Sequence, residues 1–118
     1  MRIIRKQQKA RLAREACRER LSRLKALFRR IYPDACEQLG EAGLTRRIET
    51  GIEMAERYGL HDPNNHIRLI HLIFQLDQDD LDTSPDTPWA GDILKWIDTD
   101  EFMKIAALEK RVQIERYG

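Results

Sequence analysis

The chain has 118 residues, of which 42% are hydrophobic and 35% charged, with a formal net charge of +1. That length suffices for one domain with a single core and falls short of two independent cores, while a charged fraction above the roughly 25% of ordinary globular chains suits long solvated helices. No stretch approaches the ~20 apolar residues of a membrane span, and the start "MRIIRKQQKA" has no apolar secretory segment; the expectation is a cytoplasmic protein with Cys17 and Cys36 as reduced core residues.

The small net charge hides a polarity along the chain. Residues 1–32 carry twelve Lys/Arg against two Asp/Glu (+10), residues 33–59 three against six (−3), residues 60–100 two against nine (−7) and residues 101–118 four against three (+1). Either the basic end meets an acidic partner or it partly neutralises the chain's own acidic segment.

From Ile4 to Ile31 there is no Gly or Pro, and Cys17, Leu21, Leu24, Phe28 and Ile31 recur at helical spacing, which predicts a long basic N-terminal helix with one apolar stripe. The stripe thins before about Leu12, so residues 1–12 are read as a basic leader that projects beyond the core or orders on binding. Pro33 stops this helix, and "YPDACEQLG" reads as a short second helix ending at Gly40. A third carries Leu44, Ile48, Ile52 and Ala55 to a left-handed Gly59, with Gly51 marking close approach of a neighbouring helix. In "HDPNNHIRLIHLIFQLD", Asp62 caps and Pro63 takes the first helical position of an apolar helix running through the centre.

"DQDDLDTSPDTP" is the one clear loop. Thr87 then caps a helix opened by Pro88, with Trp89, Ile93 and Trp96 on one face; Trp89 is read as core and Trp96 as partly exposed. Thr99 caps a last helix whose core stripe is Phe102, Ile105, Leu108 and Val112. Without any alternating β pattern, the fold class is all-α: a single-domain bundle of five or six helices with short connections.

Chemistry-bearing constellations are sparse. The acidic loop misses the calcium-loop pattern, with Leu81, Asp82 and Pro88 where positions five, six and twelve need a ligand, glycine and glutamate. His61, His66 and His71 stand five apart, the wrong interval for a helical metal pair, and His71 reads as a satisfied core or boundary histidine. No nucleophile motif, phosphate loop or paired carboxylates can be assigned, so no catalytic, cofactor or metal site is expected. The basic N-terminal helix lacks aromatic interleaving for base stacking, which disfavours nucleic acid, and lacks the aromatic anchors of a membrane-surface helix.

The segments "YPDACEQLGEAGL", "IETGIEMAERYGL", "HIRLIHLIFQL" and "TPWAGDIL", in that order over residues 32–96, resemble a family of small helical proteins encoded in bacterial type VI secretion effector clusters, beside toxin, spike-tip and adaptor genes. The chain departs from that family's pattern in "QLDQDDLD", where a Phe-Gly pair is expected before the acids, and in its basic leader. The resemblance implies accessory work as a co-adaptor or chaperone-like protein; immunity proteins share those neighbourhoods.

The resulting expectation is a non-enzymatic protein that binds an effector or adaptor of such a module stoichiometrically. Arg11, Arg14, Arg18, Lys25, Arg29 and Arg30 are the basic partner-binding candidates, and Asp79, Asp80, Asp82 and Trp96 the acidic and aromatic ones. The alternatives are an immunity protein that neutralises a cognate toxin and a nucleic-acid-binding protein that uses the basic helix.

Overall fold

A computed structural model describes the backbone of residues 2–117 and the side chains of residues 16–116. All its regular elements are helices: α1 (Arg2–Ile31), α2 (Pro33–Arg57), α3 (Pro63–Leu76), α4 (Pro88–Leu94) and α5 (Glu101–Tyr117). The side chains of Arg11 and Arg14, and of the leader read over residues 1–12, lie outside the described residues.

The chain forms two compact units, residues 1–45 and 46–118. In the first, α1 gives way to α2 at Tyr32, whose N–H still reaches the Phe28 carbonyl at 2.7 Å. Pro33 opens α2 because its fixed φ suits a first helical turn. The phenyl ring of Phe28 stacks on Tyr32, centroids 6.3 Å apart. Leu24, Phe28, Cys36 and Leu44 are buried, whereas Ile31 is exposed and so is Cys17, which corrects its placement in the core. The apolar stripe of α1 is therefore shorter than its spacing suggests. The short second helix and the third are both present: α2 is two helical stretches that meet in a kink at Gly40, whose φ 71° and ψ 177° are non-helical. A Cβ there would meet nothing within 4 Å, so backbone conformation alone requires glycine.

The second unit holds the remainder of α2 with α3, α4 and α5. Gly59 (φ 79°) ends α2 in the left-handed region, and the Asp62 carboxylate accepts the Asn64 N–H at 2.8 Å as Pro63 opens α3. Gly51 allows close approach to α3: a Cβ there would lie 2.5 Å from Ile70 Cγ1. The core joins Met54, Leu60, Leu69, Leu72, Ile73, Leu81, Leu94, Ile105, Leu108 and Val112, each such burial contributing about 1.5–3 kcal/mol before entropy is counted. α5 packs on both α3 and α4.

Candidate functional site

The acidic segment after α3 is an ordered turn. Asp77 takes φ 53° as the C-cap of α3, and the Arg47 guanidinium from α2 donates to Asp77 at 2.8 Å and to Asp79 at 2.6 Å while lying 5.1 Å over the Phe74 ring. Such fixed bidentate donation suits arginine more than lysine. Burial opposes the Arg47 charge, yet the two aspartates together raise its pKa above the ordinary value. The Asp82 carboxylate is turned inward, accepting from Tyr58 Oη at 2.8 Å and Arg57 Nη1 at 3.1 Å. Burial first and Asp82 second push the Tyr58 phenol above its usual pKa.

α4 sits directly on this turn. A Cβ on Gly91 would come 2.5 Å from the Asp82 carbonyl oxygen, so only glycine permits the approach. The Thr87 hydroxyl makes no helix cap; it donates instead toward the Leu81 carbonyl at 3.1 Å and the Gln78 side chain at 3.2 Å, fastening the turn to the start of α4. Trp89 packs against the core cluster, with the Arg111 guanidinium 5.6 Å over its ring. Exposed Pro88 opens α4, and Ala90 and Leu94, with Trp89 and Ile93 partly buried beside them, seat it on the core.

α4 ends at Leu94, with Lys95 as its C-cap. Trp96 therefore lies beyond the helix and does not share the face of Trp89 and Ile93. A corner follows, residues 95–100, in which Asp98 adopts φ 59°. Within it Trp96 N–H donates to Ile93 at 3.1 Å and Thr99 Oγ1 to Ile97 at 3.3 Å, while buried Lys104 fastens the flanking helix ends by donating to the carbonyls of Leu94 at 2.9 Å and Tyr58 at 3.0 Å. The cap of α5 is Asp100, not Thr99: its carboxylate accepts the Phe102 N–H at 2.7 Å. Glu101 in the next position reaches the α2–α3 connection, accepting from the N–H groups of Asp62 at 2.8 Å and His61 at 3.1 Å and from Asn65 at 2.7 Å. Those donors, Asp62 foremost, hold its pKa below the ordinary 4.5.

At this corner and along the outer side of α5, large apolar side chains are exposed to solvent. Trp96 is 46% exposed, Ile97 84%, Phe102 48% and Met103 67%, and Ile114 farther along α5 is 51% exposed. Phe102 is thus on the outer face, a correction to its assignment to the core stripe. α5 carries two apolar faces: Ile105, Leu108 and Val112 at i, i+3 and i+7 are buried, while Met103, Ala106, Lys110 and Ile114 form an opposite, exposed row. Large exposed apolar groups close together in sequence, at a corner flanked by fixed helix ends, are the composition of an interaction surface.

Of the residues picked from sequence, Trp96 stands in this cluster. Asp79 and Asp82 are engaged within the turn, so Asp80 is the acid of the three whose side chain makes no ion pair within the turn. Lys25 and Arg29 both pair with Glu41, Lys25 at 2.8 Å; that pairing holds the Glu41 carboxyl below its usual pKa. Arg18 and Arg30 are exposed. Ile97, Met103 and Ile114 escaped the sequence reading; the signal for Met103 and Ile114 is the second row on α5, whereas Ile97 lies in the corner before that helix.

A cleft of about 310 Å³ between α3 and α5 is lined by Arg68, His71, Gln75, Glu109 and Arg116 over a floor of Leu72 and Val112. Its charges are largely internal: Arg68 holds Glu109 in a two-point ion pair, one contact being 3.0 Å. Among the described residues no group of three or more His, Cys, Asp or Glu is placed to hold a metal ion, and no helix is long and apolar enough to cross a membrane. No protein-family model matches the chain, and no curated protein or solved structure is significantly similar to it.

Proposed function

We propose that the chain is a non-enzymatic cytoplasmic accessory protein that binds an effector or adaptor of a type VI secretion module, and that the corner between α4 and α5 is its binding surface. The observation that carries the surface is the exposure of Trp96, Ile97, Phe102 and Met103 around a corner whose flanks are fixed, the end of α4 by Lys104 and the start of α5 by Asp100. Exposed aromatic side chains lose little entropy on docking, and together with Met they supply apolar area that carries affinity when buried. The secretion context rests on the resemblance of residues 32–96, and the co-adaptor or chaperone-like role follows from it. The acids around the corner and the bases of α1 steer the encounter.

The test is affinity purification of the tagged chain from its host beside Trp96→Ala and Met103→Glu variants whose folding is verified by circular dichroism. The proposal expects one secretion effector or adaptor at stoichiometric yield, lost with both variants. Recovery of that partner unchanged by the variants would remove the corner, and recovery of nucleic acid alone would remove the function.

A further inference from the structure

Resting on the reading of the corner as a protein-binding surface, we infer that its occupant is an amphipathic α-helix of the partner that lies along α5, places Lys or Arg over Asp98 and Asp100, and sets a carboxylate opposite Lys110. The shape of the surface argues for a helix. The outer row runs from Met103 to Ile114 with Phe102 beside its start, about 16 Å of helix axis, some three turns. Ala106, small and exposed, lies between Met103 and Ile114 on that row and lets a second helix approach closely. No strand edge exists among the described residues to receive an extended peptide.

Charge fixes the occupant further. At one end of the row exposed Asp98 and Asp100 outnumber the one exposed cation of the corner, Lys95, and Lys110 is exposed toward the other end. The remaining carboxylates of α5 face elsewhere: Glu101 caps the α2–α3 connection, Glu109 is bound by Arg68, and Glu115 lies 2.8 Å from Arg111. A second copy of this chain is therefore disfavoured. Laid antiparallel with Met103 on Ile114 of the copy, it would bring two Lys110 ammonium groups to within one helical turn with no outward carboxylate between them. An anionic membrane is disfavoured by the aspartates at the corner.

The probes are three synthetic 18-residue peptides, titrated into the full chain and mapped by amide chemical shifts. One is a leucine-faced helix with lysines at both ends and a central glutamate; the second exchanges those charges; the third is the first with a central proline. The first should bind best, shift residues 96–114, and lose roughly threefold to fivefold in affinity with Lys110→Glu, a change that should strengthen a Lys-centred peptide instead. Equal binding of the proline peptide, or no preference between the charge patterns, overturns the helical occupant. So does concentration-dependent dimerisation abolished by Ile114→Asp, which would make the occupant a second copy. If no peptide binds while partner recovery still depends on Trp96, the helix inference fails and the binding reading stands; if recovery is independent of Trp96 as well, both fail.

Discussion

The Lys104 ammonium of α5 donates a 2.9 Å hydrogen bond to the carbonyl of Leu94, the last residue of α4, from a side chain almost wholly buried. The same ammonium reaches the Tyr58 carbonyl beyond the end of α2. One cation thus joins three helix ends beneath the corner and satisfies carbonyls that helix ends leave unpaired. Lys104→Met keeps the aliphatic stem and leaves both oxygens without a donor. The expected cost is about 1–3 kcal/mol, read as a lower urea midpoint, with faster amide exchange at residues 95–100.

Glu101 makes the stability of the second unit depend on acid. Its folded pKa lies below 4.5, so it contributes stability that is complete above its unfolded value and is lost as the pH falls through the lower folded value. Urea midpoints measured between pH 3 and 7 should decline below about pH 4.5, and Glu101→Gln should flatten part of that decline. An identical pH profile in the variant would show that the contacts to Asp62 and His61 carry no linkage.

Asp80 and Asp82, two residues apart, should behave oppositely. Asp80→Asn on the exposed side of the turn should leave stability within about 0.5 kcal/mol. Asp82→Asn replaces an acceptor that Tyr58 and Arg57 share and should cost about 1–2 kcal/mol. It should also bring the Tyr58 phenol back toward its ordinary titration range, a shift followed by ultraviolet absorbance. Equal effects of the two substitutions would contradict the inward orientation of Asp82.

Gly51→Ala tests packing against propensity. In an exposed helix the change would gain about 1 kcal/mol; here the new methyl would meet Ile70 Cγ1 at 2.5 Å. A net destabilisation of about 1–3 kcal/mol is expected from overpacking, and a stabilised variant would show that α3 yields easily.

Much of this architecture was legible because local rules act over a few residues. Gly59, the Asp62–Pro63 start of α3, the opening of α4 by Pro88 and the close approach at Gly51 follow from backbone conformation and spacing alone. What escaped depended on partners far along the chain or on a choice between equivalent faces. α5 has apolar residues on both sides, so periodicity could not say that Phe102 faces out and Ile105 in. Arg47 meets Asp77 and Asp79, thirty and thirty-two residues away, so two aspartates of the acidic run serve as its counter-charges, a pairing that spacing along the chain does not reveal. Thr87 had the composition of a cap, but its hydroxyl found the Leu81 carbonyl; Thr99 yielded the cap to Asp100, one residue closer to α5.

The measurement that bears most directly on the corner is the affinity of the co-purified partner for wild-type, Trp96→Ala and Arg30→Ala chains. Trp96 should behave as an anchor, so its truncation should weaken binding by about thirtyfold, equivalent to about 2 kcal/mol, while Arg30→Ala, an exposed charge on α1, should change it by less than about threefold. Unchanged affinity for Trp96→Ala beside a large loss for Arg30→Ala would contradict the account and move the binding surface to the basic helix.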